Sequence, residues 1–232
     1  MADWYKKNPT KDDIEQARKE SGGSDARRFW MKAGESKKVI FLDDEPFAIW
    51  EHNPVINNEF WHFFTCRKGV FQDDPTCPLC LSGVKRQYTA YLTVLDATGY
   101  KNKKTGEMVL FSRRLLPMTM KSLEKFNLIK KKKTSLVGAQ FELTRTSKDA
   151  VKIGDHWDFE DYVDPFKDEK FWFESRLHKK KMPPEPFDYA ELMAPLSSQE
   201  MLALGVGDSD GGSFRGKSDE GDAGGGDEDE LY

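Results

Sequence analysis

Cysteine is scarce in this chain and odd in number: Cys66, Cys77 and Cys80 are the only three among 232 residues. Three thiols cannot all pair within one chain, so a secreted disulfide framework is not expected, and reduced thiols or a metal remain. Long apolar runs are missing too. No stretch approaches the ~18 to 20 residues that span a bilayer, and "MADWYKKNPTKDD" holds nothing like a signal-peptide core, so a soluble, intracellular protein is expected. Hydrophobic residues make up 38% of the chain and charged residues 33%, a low ratio for a compact enzyme. Catalytic signatures are also lacking. No H-x-E precedes "CPLC", and no paired carboxylates for a divalent cation stand out among the basic strands, which argues against a zinc deaminase or nuclease.

Aromatic residues, by contrast, are abundant, with sixteen Phe, six Trp and seven Tyr. That is far too many for a disordered chain, and it leaves some rings for work outside a core. The formal net charge of -4 averages regions of opposite sign. From Lys85 to Lys148, fifteen Lys or Arg face four acids, whereas residues 208–232 hold nine acids against Arg215 and Lys217. A basic body therefore carries an acidic tail.

The length suits one domain plus appendages. Residues 1–25 read as a polar arm. Strands are expected at Lys37–Leu42, in "FAIWEH", in "FWHFFTC", at Tyr88–Ala97 and in "VLFSRRLLPM", the last two joined as a hairpin by "TGYKNKKTGEM". A short helix with Met120, Leu123 and Phe126 on one face follows, and "QFELTRTS" and "VKIGDHWDFEDYV" supply two more strands. This order predicts a mainly β domain over residues 26–165, an OB-fold-like Greek-key barrel with a zinc-bearing loop and a short helix. Residues 166–206 form a partly helical extension. Its last helix carries an S-x-x-E capping box at Ser197 and Glu200, a staple of Leu196 and Met201, and a stop at Gly205. Residues 207–232, Gly-rich and acidic, are expected to be a disordered tail.

All the thiols lie in "FFTCRKGVFQDDPTCPLC". A C-x-x-C turn lets Cys77 and Cys80 wrap one Zn²⁺, and Cys66 can reach the same ion through the intervening loop. A fourth ligand is required. Along a strand rising ~3.3 Å per residue, His62 would lie ~13 Å from Cys66, so His52, returned towards Cys66 by a wide loop, is the better candidate. Four protein ligands leave no position for water, which makes one structural zinc the expected role.

Binding single-stranded nucleic acid without sequence preference needs cations along the phosphates and rings on which bases stack. Candidates for these contacts are Lys85, Arg86, Tyr88, Tyr91, Lys103, Lys104, Phe111, Arg113, Arg114, Lys130, Lys131, Lys132 and Lys133. Alternation puts Tyr91, Thr93 and Leu95 on one face of their strand and Ala90, Leu92 and Val94 on the other, and one of those faces must be core.

With these ligands beside "VIFLDDEPFAIWEH", "FFTC", "CPLC" and "VKRQYTAYLTVLD", and with an acidic C-terminus, the chain resembles the single-stranded-DNA-binding proteins of tailed bacteriophages. This is the zinc-containing OB-fold family that includes the helix-destabilising replication protein of T-even phages. The resemblance runs from about Lys37 to Asp158. It implies a structural zinc beside an OB-fold, a single-stranded-DNA cleft to which Lys85, Arg86 and Tyr91 contribute, and a role in phage DNA replication, recombination and repair in the cytoplasm of the infected host. The basic arm used for self-association in the T-even protein has no clear counterpart, although "YKKNP" or "DARR" could serve. The tail residues Asp227, Glu228, Asp229, Glu230, Leu231 and Tyr232 are the expected contacts for replication or recombination partners.

Overall fold

The computed structural model describes residues 27–54, 63–68, 77–101, 106–174 and 180–203. The arm at 1–25, His62, Lys103, Lys104, Gly205 and the acidic tail lie outside them. The chain forms two compact units. One comprises Ser24–Ala48 with Tyr88–Leu192; the other comprises Ile49–Gln87 and, among the described residues, 193–203. The metal-bearing segment thus groups with the end of the extension, and the rest of the extension with the sheet.

The larger unit is built on one sheet. Its members are β1 (Arg27–Arg28), β2 (Ser36–Phe41), β5 (Arg86–Asp96, from Tyr88 onward), β8 (Ser112–Met118), β9 (Ala139–Thr144) and β10 (His156–Tyr162), in the order β1-β8-β5-β2-β9-β10. All pairings are antiparallel except the short β1–β8 contact. Helix α2 (Met120–Lys130) connects β8 to β9, and so carries the chain from one side of β2 and β5 to the other. Alternate residues of the central strands face two apolar layers, as the two-residue period of a strand requires. Val39, Phe41, Ala90, Leu92 and Val94 join Leu116, Phe126, Phe141 and Trp157 in the main core. Ile40, Leu42 and Leu95 face Phe171 on the other side. Burial on both faces is why β5 reads as a nearly continuous apolar run.

Two expectations are corrected here. Met120 is exposed, and the buried face of α2 is formed instead by Leu123, Phe126 and Ile129. The strand expected through "VLFSRRLLPM" is broken, with β6 (Tyr100–Lys101) pairing β7 (Met108–Val109) before β8 begins. The interruption centres on Phe111, a non-glycine residue at φ 55, whose ring packs edge-on against Phe171 at 4.8 Å. At Gly138, φ is +78, and a Cβ would meet the Val163 carbonyl oxygen at 2.2 Å; only glycine fits where β2, β9 and β10 meet.

The extension is part of this unit up to Leu192. A 3₁₀ turn (Glu169–Phe171), β11 (Phe173–Glu174), β12 (Lys181–Met182) and α3 (Tyr189–Leu192) follow the sheet. Phe187 donates its amide to Thr93 Oγ1 at 3.0 Å, and the Tyr189 hydroxyl lies 2.6 Å from the same oxygen while donating to Asp43 at 2.5 Å. Phe47 stacks on the Tyr189 ring at 5.4 Å with an interplanar angle of 11°. The Thr93 face of β5 is therefore covered by the chain's own C-terminal segment.

Candidate metal centre and basic–aromatic surface

The smaller unit is organised around the four expected ligands. β3 (Phe47–His52) ends at His52, and β4 (Phe64–Thr65) pairs with it through Glu51–Thr65 and His52–Phe64, which brings Cys66 alongside. Of the long strand expected at "FWHFFTC", the described residues form only β4. The Cys66 amide donates to the Trp50 carbonyl at 2.7 Å. Cys77 caps the single turn α1 (Pro78–Leu81), where Pro78 at the first helical position needs no amide partner, and Cys80 lies within that turn. Gly83, at φ 76, reverses the chain so that the Val84 amide can reach the Leu79 carbonyl. Strand β5 begins two residues later.

His52, Cys66, Cys77 and Cys80 thus converge, with their ligand atoms all within 4.8 Å of one another, three of the residues buried and Cys80 half-buried. His52 Nε2 lies 3.5 Å from Cys77 Sγ and 3.4 Å from Cys80 Sγ, and Cys66 Sγ is 3.7 Å from Cys80 Sγ. The other imidazole nitrogen, Nδ1, is 3.3 Å from the Lys85 carbonyl. As a donor to that oxygen it leaves Nε2 with its lone pair facing the thiols, the tautomer a metal ligand needs. The cluster could hold one metal ion.

Its electrostatics favour a cation. Burial opposes ionisation of Cys77, but the His52 imidazole and the amides of Arg67 and Cys80 overcome it and bring the thiol down to about 6. Burial pushes the Cys80 thiol up to about 12, assisted by hydrogen bonding to Cys66 and by negative charge on its two neighbours. His52 is held above its ordinary range: burial works against its proton, while Cys77 and Cys66 favour it more strongly. One thiolate therefore suppresses the next, and a bound dication removes that conflict.

An apolar shell of Phe64, Leu79, Val84 and Met201, with Leu196 at its edge, surrounds the cysteines. Met201 belongs to α4 (Ser198–Ala203), whose capping box forms as expected: Ser197 donates its amide to Glu200 Oε2 at 2.7 Å, and Glu200 donates its amide to Ser197 Oγ at 3.1 Å. The Thr65 hydroxyl donates to the Met193 carbonyl at 2.7 Å, and Arg67 donates to the Leu196 carbonyl. Arg67 is buried among these contacts.

The expected nucleic-acid contacts meet several fates. Lys85 and Arg86 are exposed in the metal-bearing unit, and the Arg86 guanidinium lies 4.5 Å from the centre of the Trp50 ring. In the other unit Tyr88 is half-buried, while Tyr91 is 0% exposed, packed under the Arg28 guanidinium, which also donates to its hydroxyl. Tyr91 is therefore not a stacking surface, and Phe111 is likewise a packing ring. Arg113 sits 4.3 Å from the Phe187 ring centre and 5.5 Å from that of Phe173, and donates to the Glu185 carbonyl at 2.9 Å. Arg114 lies over Tyr100 at 5.1 Å. Lys130 is bonded to Asp44, Lys131 and Lys132 are exposed, and Lys133 lies 3.6 Å from the Phe159 ring centre. Lys103, Lys104 and the six tail residues lie outside the described residues.

Sequence reading missed the rings that these cations meet. Among the described residues six aromatic side chains are prominently exposed, at 37 to 45%: Trp30, Trp50, Tyr100, Phe159, Tyr162 and Phe173. Each has a Lys or Arg cation within 6 Å of its ring centre. The one available signal was a lone ring beside charged neighbours in a short strand, as in "IWEH", which a core residue gives equally well. No protein-family model, curated protein or solved structure matches the chain.

Proposed function

We propose that this chain is a non-enzymatic, sequence-independent single-stranded-DNA-binding protein that serves phage DNA replication, recombination and repair in the host cytoplasm, with one structural Zn²⁺. The observation that carries the reading is the pairing of all six prominently exposed rings among the described residues with cations. An unstacked base offers a π-face to a ring while its phosphate meets the neighbouring Lys or Arg, and a duplex offers only the phosphate.

Two further features support it. The path β5-β8, helix, β9-β10, with β2 between β5 and β9, supports the reading of an OB-fold Greek key, a fold often used for single strands. Ideal tetrahedral zinc, with bonds of ~2.3 Å to sulfur and ~2.0 to 2.1 Å to nitrogen, implies edges of about 3.8 Å for S···S and 3.6 Å for S···N. Three of the six ligand-to-ligand separations, 3.7, 3.5 and 3.4 Å, are close to these edges, and all six lie within 4.8 Å. With four protein ligands the ion is closed to substrate, and its contribution is to fix local structure. Acidic-tail residues would mimic phosphate in the absence of DNA and recruit partner proteins once displaced.

A salt titration against single-stranded DNA, duplex DNA and RNA tests the reading. Preference for single-stranded DNA of any sequence, falling steeply with salt, is expected. Equal or tighter duplex binding at moderate salt, or selective RNA binding, would point to a zinc-containing regulatory module instead.

A further inference from the structure

We propose that Trp50 and Arg86 form a base-stacking platform held in register by the metal centre, with a nucleotide of single-stranded DNA as its ligand; this rests on the function proposed above. Trp50 is 44% exposed. An indole exposed to this degree, with an exposed guanidinium 4.5 Å from its centre, offers both halves of a nucleotide site: ring area for a base and a cation for the adjoining phosphate.

What distinguishes this pair from the other five rings is its attachment to the ligands. Trp50 lies two residues before His52 on β3, and its carbonyl accepts the amide of Cys66 at 2.7 Å, so its backbone is tied to two of the four ligands. Arg86 follows Lys85, whose carbonyl lies 3.3 Å from His52 Nδ1. Gln87, next along, donates to the buried Glu51 carboxylate at 3.0 Å. Residues 50–52 are thus linked to residues 85–87 by hydrogen bonds that include the ligand His52 itself. With Nε2 bound to a metal, the imidazole cannot rotate, and Nδ1 holds the Lys85 backbone where Arg86 meets the indole. Without a metal, that ring is held by hydrogen bonds alone, to the thiols and to the Lys85 carbonyl.

The test uses the full chain with zinc bound and again after chelation, titrated with a fluorescently labelled oligothymidylate while tryptophan emission is followed. Variants are Trp50→Ala, Trp50→Phe and Arg86→Gln, with zinc content and thermal unfolding recorded for each. In the zinc-bound protein Trp50→Ala should weaken binding about 5- to 100-fold, Trp50→Phe should weaken it less while losing part of the emission quenching, and Arg86→Gln should reduce the salt slope by about one. In the zinc-free protein wild type should bind more weakly, and Trp50→Ala should cost little more. Wild-type affinity in a folded, zinc-loaded Trp50→Ala protein, with Trp50→Phe quenching unchanged, overturns the platform but leaves single-stranded-DNA binding intact. An equal loss from Trp50→Ala with and without zinc overturns the dependence on metal. Failure of the wild type to bind the oligonucleotide overturns the function itself.

Discussion

Asp43 is the residue whose surroundings most change its chemistry. It sits at the end of β2, accepting the Thr93 amide at 3.2 Å and the Tyr189 hydroxyl, and burial pushes its carboxyl up to about 6 from 3.8. An acid whose folded value lies above its unfolded value stabilises the fold most when protonated in both states, and that stability is lost as pH rises from about 3.8 to about 6. The cost by neutral pH is on the order of 3 kcal/mol, with the two donors already included in that value. Asp43→Asn keeps an acceptor without the charge. Its stability relative to wild type, from urea denaturation, should therefore grow by a few kcal/mol between pH 4 and pH 7.5; parallel curves across that range would falsify the assignment. Tyr91 could not be judged from sequence for a related reason. Alternation correctly grouped it with Thr93 and Leu95, but what covers each comes from a distant segment: Arg28 over Tyr91, Phe187 and Tyr189 at Thr93, and Phe171 beside Leu95.

Among the elements, the metal-bearing unit was the most legible, because a single ion demands a particular ligand number and reach. Strand geometry favoured His52, which joins the cluster, while His62 lies outside the described residues, and the capping box at Ser197 and Glu200 was visible as a four-residue signature. β9, with strict alternation, and β2, with its short apolar run, were equally plain. Less legible was the break at Phe111, since a non-glycine residue at positive φ contradicts its own local preference and is held there by packing on Phe171. β3, β4 and the one-turn α1 contain too few residues to be stable as isolated elements, so the shell of Phe64, Leu79, Val84 and Met201 needs the ligands as its scaffold. Chelation should accordingly lower the thermal unfolding temperature and strip hydrogen-exchange protection first from the amides of Cys66, Leu81 and Val84. Those amides donate to the Trp50, Cys77 and Leu79 carbonyls within this unit. Protection unchanged by chelation would mean that the apolar shell alone suffices.

Charge is the property that belongs to the molecule as a whole. Fifteen cations against four acids between Lys85 and Lys148 face nine acids and two cations after residue 207, all within one chain. Tethering gives the tail a high effective concentration at its own basic body, independent of protein concentration, so even a weak attraction competes with dilute DNA. Several cations already have internal acidic or aromatic partners: Lys130 with Asp44, Arg113 with Phe187, Lys133 with Phe159. The tail would then act on exposed cations such as Lys85, Lys131 and Lys132. Deleting Asp208 to Tyr232 should raise affinity for single-stranded DNA several-fold at low salt. The difference should shrink as ionic strength rises, because screening weakens both the tail's attraction and the phosphates'. The truncated and full-length proteins therefore have to be compared at two salt concentrations. A gain that persists at high salt would signal a steric tail, and no gain at either would leave it only the proposed recruitment of partners.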